Sequence, residues 1–107
     1  MWTVSGGDYA GKPRPAVVIQ DDRFDVTQSV TICPLTTNPA DAQLFRLPIA
    51  PAEQNGLRAP SRMMVDKITT VPRARLGRRM GRISDEDLTR LNRAIVVFLG
   101  LAGAGTR

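Results

Sequence analysis

The sequence predicts a mainly β (α+β) domain, a small and strongly curved antiparallel sheet or barrel followed by one C-terminal helix. Three observations carry this expectation. Short β-branched runs recur along residues 2–83, divided by Gly, Pro and Asn turns. One capped amphipathic segment follows them, from Ser84 onward. A chain of 107 residues is large enough for a single modest core and too small for two. Residues 1–107 therefore read as one domain, with residues 102–107 a frayed tail.

Taken in order, Trp2-Thr3-Val4 alternates and predicts a short first strand. Ser5 to Pro13 holds Gly6, Gly7 and Gly11 and reads as a loop. Pro15 to Gln20 is the second strand, and Asp21-Asp22-Arg23-Phe24-Asp25 a polar turn. Ser29 to Leu35 alternates as a third strand, which Thr36-Thr37-Asn38-Pro39 ends with turn chemistry. Leu44 to Ile49 is the fourth, and Glu53-Gln54-Asn55-Gly56 a turn. Arg62 to Val71 is expected as the fifth and longest strand. Pro72 stops it and opens one helical turn toward Leu76 and Gly77. Arg78 to Ile83 reads as a closing strand. Ser84 then caps a helix whose first turn carries Asp85, Glu86 and Asp87. Leu88, Leu91, Ile95, Phe98 and Leu99 share one face of it, and Gly100 and Gly103 are stop signals.

Composition excludes several kinds of chemistry. The chain has no histidine, so neither a Ser-His-Asp relay nor a histidine-bearing zinc site can be built. The single cysteine, Cys33, rules out an internal disulfide and a thiolate cluster; its setting between Ile32 and Pro34 predicts a small buried thiol. No cofactor and no metal are expected. No apolar run is long enough to span a bilayer, and no leader is visible at Met1, so a cytoplasmic protein is expected. Net charge is +5, with thirteen arginines among fifteen basic residues. Ten basic and four acidic side chains fall within residues 58–93. Arginine grips phosphate in a bidentate fashion, so nucleic acid or an acidic protein is the expected partner.

The stretch Gly11-Lys12-Pro13-Arg14-Pro15 draws attention to one arginine. Two prolines fix the backbone on either side of Arg14, at the mouth of the strand Ala16-Val17-Val18-Ile19. It is either a mounting for a guanidinium or an edge-strand entry whose prolines block stray pairing.

Four segments in order resemble the MazF/PemK family of toxin endoribonucleases. They are Lys12 to Gln20, Cys33-Pro34-Leu35-Thr36-Thr37-Asn38, Met64 to Val71, and Arg75-Leu76-Gly77 through Gly81 to Leu88. The resemblance spans nearly the whole chain. It implies an SH3-like barrel of the CcdB/PemK type, working as a homodimer. It also implies metal-independent cleavage of single-stranded RNA, mRNA in particular, to 2′,3′-cyclic phosphate and 5′-hydroxyl ends, and a cognate acidic antitoxin of the MazE kind. The family's catalytic arginine and threonine fall on Arg14 and Thr36. Its RNA-contacting positions fall on Asp8, Tyr9 and Lys12 of the Ser5–Pro13 loop, on Thr37 and Asn38, and on Ser61 and Lys67. Departures from the family pattern are Trp2 directly after Met1, a shorter first loop, and Lys67 where glutamine is common.

Those residues suit RNA transesterification in part. A fixed guanidinium at Arg14 stabilises a pentacoordinate phosphate, and the Thr36 hydroxyl can bind the same group. Arginine, with a pKa above about 12, is a poor general base. Asp8 is the nearest carboxylate, and a loop aspartate is more often a turn former. Tyr9 could stack a base or act as a packing lid. The arginines at 73, 75, 78, 79 and 82 read mostly as a solvated basic face that could also widen an RNA track. Two alternatives remain at this level: a non-catalytic CcdB-like toxin that poisons DNA gyrase, and a basic barrel that only binds RNA or protein.

Overall fold

The computed structural model describes residues 1–6, 12–20, 23, 26–39 and 45–101. Along these residues run β1 (Trp2–Val4), β2 (Arg14–Val18), β3 (Ser29–Thr36), β4 (Arg46–Ile49), β5 (Ser61–Met64), β6 (Thr69–Pro72), β7 (Leu76–Arg79) and α1 (Asp85–Phe98). The ladders are all antiparallel, in the order β4-β5-β3-β2-β1-β7 with β6 also on β3. The expected architecture, an antiparallel sheet with one C-terminal helix, is what forms. Its closure does not: β4 and β7 end the sheet, and no ladder joins them among the described residues. The expectations for Asp21, Asp22, Phe24, Asp25, Leu44 and residues 102–107 lie outside the described residues.

β3 is the hub, because its period-2 pattern feeds two apolar layers at once. Cys33 and Leu35 join Val17, Met63, Val65, Ile49 and Leu91 in the larger core, over which α1 lies. Val30 and Ile32 point the other way and form a smaller cluster with Val4 and Ala16. A sheet apolar on both faces is stable only if both are covered; the second cluster is closed by Val18, Val71 and Leu76 from neighbouring strands.

The stretch expected as one long strand is broken. β5 pairs Leu35↔Met63 and Thr36↔Arg62, whereas β6 pairs Ile32↔Thr69 and Ser29↔Pro72. The register slips by the three residues of a 3-10 turn, Val65–Lys67. Pro34, beside the break, has no amide to give a ladder. The longest strand is therefore β3, with eight residues. The closing strand also sits earlier than expected, at Leu76–Arg79 rather than Arg78–Ile83, after a 3-10 turn at Arg73–Arg75. Met80 to Arg82 are taken up elsewhere: Met80 N donates to Met1 O (2.8 Å), Arg82 N to Gln54 O (2.7 Å), and the Met1 amine to Gly81 O (3.0 Å).

The helix starts as its sequence dictates. Ser84 is extended and its Oγ accepts from Asp87 N at 3.1 Å, satisfying one orphan amide of the first turn. Leu91 is fully buried, and Leu88, Ala94 and Ile95 pack on the core. Phe98 meets Phe45 edge to face at 4.8 Å. Leu99 lies past the last helical residue and is 58% exposed, so it leaves the expected face. No described helix is long and apolar enough to cross a membrane.

Cys33 is the buried thiol its setting predicts. Burial, helped by the charge of Asp66 and opposed by a backbone hydrogen bond from Met64, pushes its pKa up to about 12. A folded-state pKa above the unfolded value favours the native state fully at lower pH. That contribution fades as pH rises from about 9, where the unfolded thiol ionises, towards about 12. At about pH 8 the native protein should resist a thiol reagent and react only once denaturant unfolds it. Rapid labelling of the native protein would contradict the burial.

Candidate active site

The ladder between β2 and β3 brings Arg14 and Thr36 together. Its register is Ala16↔Pro34 and Val18↔Ile32. Carried two residues further, it sets Arg14 opposite Thr36 on one face of the sheet, the face of the smaller cluster. Both side chains line a single open groove of about 840 Å³. Val4, Pro34 and Val71 contribute to its apolar lining, while Thr37, Asn38 and Lys67 add polar groups. β2 begins at Arg14 itself, between the two prolines, so the guanidinium leaves the sheet from a backbone with little freedom.

Thr36 ends β3 in a side-chain turn. Its Oγ1 accepts from Asn38 N at 3.1 Å. With a lone pair occupied in this way, the hydroxyl proton is the part left to offer a ligand oxygen. Pro39 follows Asn38 and biases it toward extended backbone, which keeps the turn from winding into a helix.

Lys67 reaches the groove from the 3-10 turn, and that turn is held by an ion pair the sequence did not reveal. Arg46 of β4 donates Nε to Asp66 Oδ1 at 2.8 Å and Nη2 to Oδ2 at 3.1 Å, a bidentate fork. The Arg46 side chain is only 5% exposed and that of Asp66 24%. Asp66 therefore anchors the residue next to it and is committed to Arg46. No Asp or Glu lines the groove among the described residues.

Of the remaining expected contacts, Thr37 and Asn38 line the groove with Thr36. Lys12 is exposed and outside the groove lining. Ser61 is not brought there either: it is buried in β5, opposite Ile49, and its Oγ donates to Ala59 O at 3.0 Å. Asp8 and Tyr9 lie outside the described residues. Sequence reasoning did not separate Arg75 from its neighbours, yet it lines the same groove, with Ser5, Thr69 and Thr70.

A second groove, of about 1200 Å³, opens elsewhere. Trp2, Leu76, Ile83 and Leu88 give it apolar lining, and Arg73, Arg79 and Arg82 give it charge. It is the larger of the two, and neither Arg14 nor Thr36 lines it.

Known proteins fit this arrangement. The family described as "PemK-like, MazF-like toxin of type II toxin-antitoxin system" matches residues 2–99. The chain is 54% identical over 97 residues to a protein named "Probable endoribonuclease MazF" from Mycolicibacterium smegmatis, across 91% of this chain and 89% of that one. "Mycobacterium tuberculosis toxin MazF-mt6" superposes with a TM-score of 0.77 at 25% identity, covering 92% of this chain and 95% of that one. A structure titled "Endoribonuclease in complex with its cognate antitoxin from Mycobacterial species" shares the fold, with a TM-score of 0.73 at 21% identity over 92% of each chain. On the extent of the family match and this identity, the chain belongs to the PemK-like, MazF-like toxins of type II toxin–antitoxin systems.

Proposed function

We propose that this chain is an endoribonuclease toxin that cuts single-stranded RNA, mRNA included, without a metal ion and so stops translation and growth. The convergence of Arg14 and Thr36 on one groove carries the reading. A relative at 54% identity carries the name "Probable endoribonuclease MazF", which supports the same activity here.

In this reaction the 2′-oxygen of a ribose attacks the adjacent phosphorus and the bond from phosphorus to the 5′-oxygen breaks. The 2′-hydroxyl loses its proton and the departing 5′-oxygen gains one. The products are a 2′,3′-cyclic phosphate and a 5′-hydroxyl. Negative charge grows on the non-bridging oxygens between these states. In this reading Arg14 meets that charge and, as a cation, donates toward the departing oxygen. The Thr36 hydroxyl, fixed through Asn38 N, orients the same phosphate. A groove lined by Arg14, Lys67 and Arg75 with no described carboxylate suits a polyanion.

The partners follow from family and surface. A type II toxin has an antitoxin, and we infer an acidic one with apolar anchors. The larger groove, with three arginines beside Trp2, Leu76 and Leu88, supports this. We also infer a homodimer, as the resemblance implies; Val97, Leu99 and Leu101, in and just after the last turn of α1, stand 64%, 58% and 72% exposed, apolar side chains that a second copy would cover.

The purified protein should cut a long mixed-sequence RNA in excess EDTA. Its downstream fragments should take a phosphate from a polynucleotide kinase without prior dephosphorylation. Intact RNA would end the nuclease reading, and a magnesium requirement would end its metal-free part.

A further inference from the structure

Three cationic side chains, Arg14, Lys67 and Arg75, line the groove, and none is engaged by a carboxylate among the described residues. Catalysis at one phosphate uses Arg14 and Thr36. The placement of Arg75 differs. Val4 of β1 pairs with Arg14 on one side and with Leu76 on the other. Arg75, directly before Leu76, is thus rooted about two strand spacings from Arg14, roughly 10 Å. Rooted that far apart, on opposite sides of β1, the two side chains can each take a different phosphate of one strand.

The backbone of Arg75 is also held in place. Its carbonyl accepts from Ser5 N at 3.1 Å. Its side chain lies over Gly6, where a methyl group would come within 3.2 Å of Nε and 3.4 Å of Cζ. Gly6 has φ +84°, a conformation L side chains rarely adopt, so the backbone conformation and this close approach both favour glycine there. An exposed arginine meant only for solubility needs no such seat.

We propose that Arg75 forms a second phosphate site in this groove, gripping a backbone phosphate adjacent to the scissile one, so that the groove takes a polynucleotide chain rather than an isolated phosphodiester. The inference rests on the RNA reading above and assigns Arg75 to binding, apart from the chemical step.

Arg75→Gln and Arg75→Lys separate these roles in two assays. One is steady-state cleavage of a long RNA. The other is equilibrium binding of mixed-sequence 2′-O-methyl RNA, which lacks the attacking hydroxyl, between about 50 and 200 mM salt. Arg75→Gln should raise KM about ten-fold and leave kcat within about two-fold, since a charge-assisted contact made equally in ground and transition states is lost. The slope of log K against log salt should become shallower by about 0.7, the value for one phosphate contact on a single strand. Arg75→Lys should keep the slope and recover part of the affinity, because it keeps the charge and loses the fork. Unchanged affinity and slope in Arg75→Gln would overturn the proposal, as would a loss confined to kcat. If the wild-type protein cuts no RNA, the nuclease reading fails and the binding assay still decides on Arg75.

Discussion

Arg14→Ala should lower the cleavage rate by at least about 10²–10³, the usual cost of removing one preorganised donor from a charged transition state. The loss should fall on kcat, because the charge that Arg14 meets develops only as the phosphate becomes pentacoordinate. Arg14 is exposed at the start of β2, so the native fold has little to lose from the change. Thr36→Ala should cost rate in the same way. Thr36→Ser, which keeps the hydroxyl that accepts from Asn38 N, should retain most of the activity. If both groups serve one phosphate, the double variant should fall well short of the product of the single losses, because residues acting as a unit are not additive. Single-turnover cleavage of one RNA by the four proteins measures this. A toxin of the gyrase-poisoning kind on this fold would instead tolerate Arg14→Ala with its growth inhibition intact, and that result would sink the catalytic assignment.

Arg14 was legible because its signal is local: two prolines around one arginine at the head of a β-branched run. Thr36 was legible only through the family resemblance, since a threonine ending a strand is ordinary. The strands read from alternation, β1 and β3, the β-branched run of β2, and the helix capped by Ser84 could be read for the same local reason. What failed was non-local. Nothing within Arg62 to Val71 marks a break, because Val65-Asp66-Lys67 carries no turn signal. The break comes from the partner strand, where Pro34 offers no amide, and from Arg46, sixteen residues or more away in the chain. Arg75 was hidden among its neighbours for a similar reason. Trp2 pairs with Arg79 but Val4 pairs with Leu76, so β7 carries one extra residue opposite Thr3. Thr3 Oγ1 accepts from Arg78 N at 2.8 Å to stabilise this bulge. A bulge turns side chains to new faces, and it helps to sort Arg75 into one groove and Arg79 into the other. The burial of Ser61 outside the groove lining, its hydroxyl on a backbone carbonyl, leaves no mark in the sequence.

The same non-local logic makes the Arg46–Asp66 pair a sensitive point of the scaffold. Asp66→Ala should destabilise the protein by about 3 kcal/mol, because it removes both charge-assisted bonds of the fork from a guanidinium side chain that is only 5% exposed. The cost falls at the low end for a buried pair because Asp66 is 24% exposed and water can reach part of the site. In a domain of about 100 residues a loss of that size lowers the melting midpoint by more than about 10 °C. The double replacement Arg46→Met with Asp66→Leu should be far milder, close to wild type, because removing both charges also removes their desolvation cost. Its activity should not recover with its stability. The fork ties the 3-10 turn to β4, and that turn carries Lys67 into the groove. Apolar contacts are non-directional and would fix the turn less well than two aligned hydrogen bonds. Denaturant unfolding of the three proteins, read beside their KM for RNA, tests both statements. A single variant as stable as wild type would show that the pair contributes nothing to the fold. A double variant with wild-type KM would show that Lys67 does not depend on it.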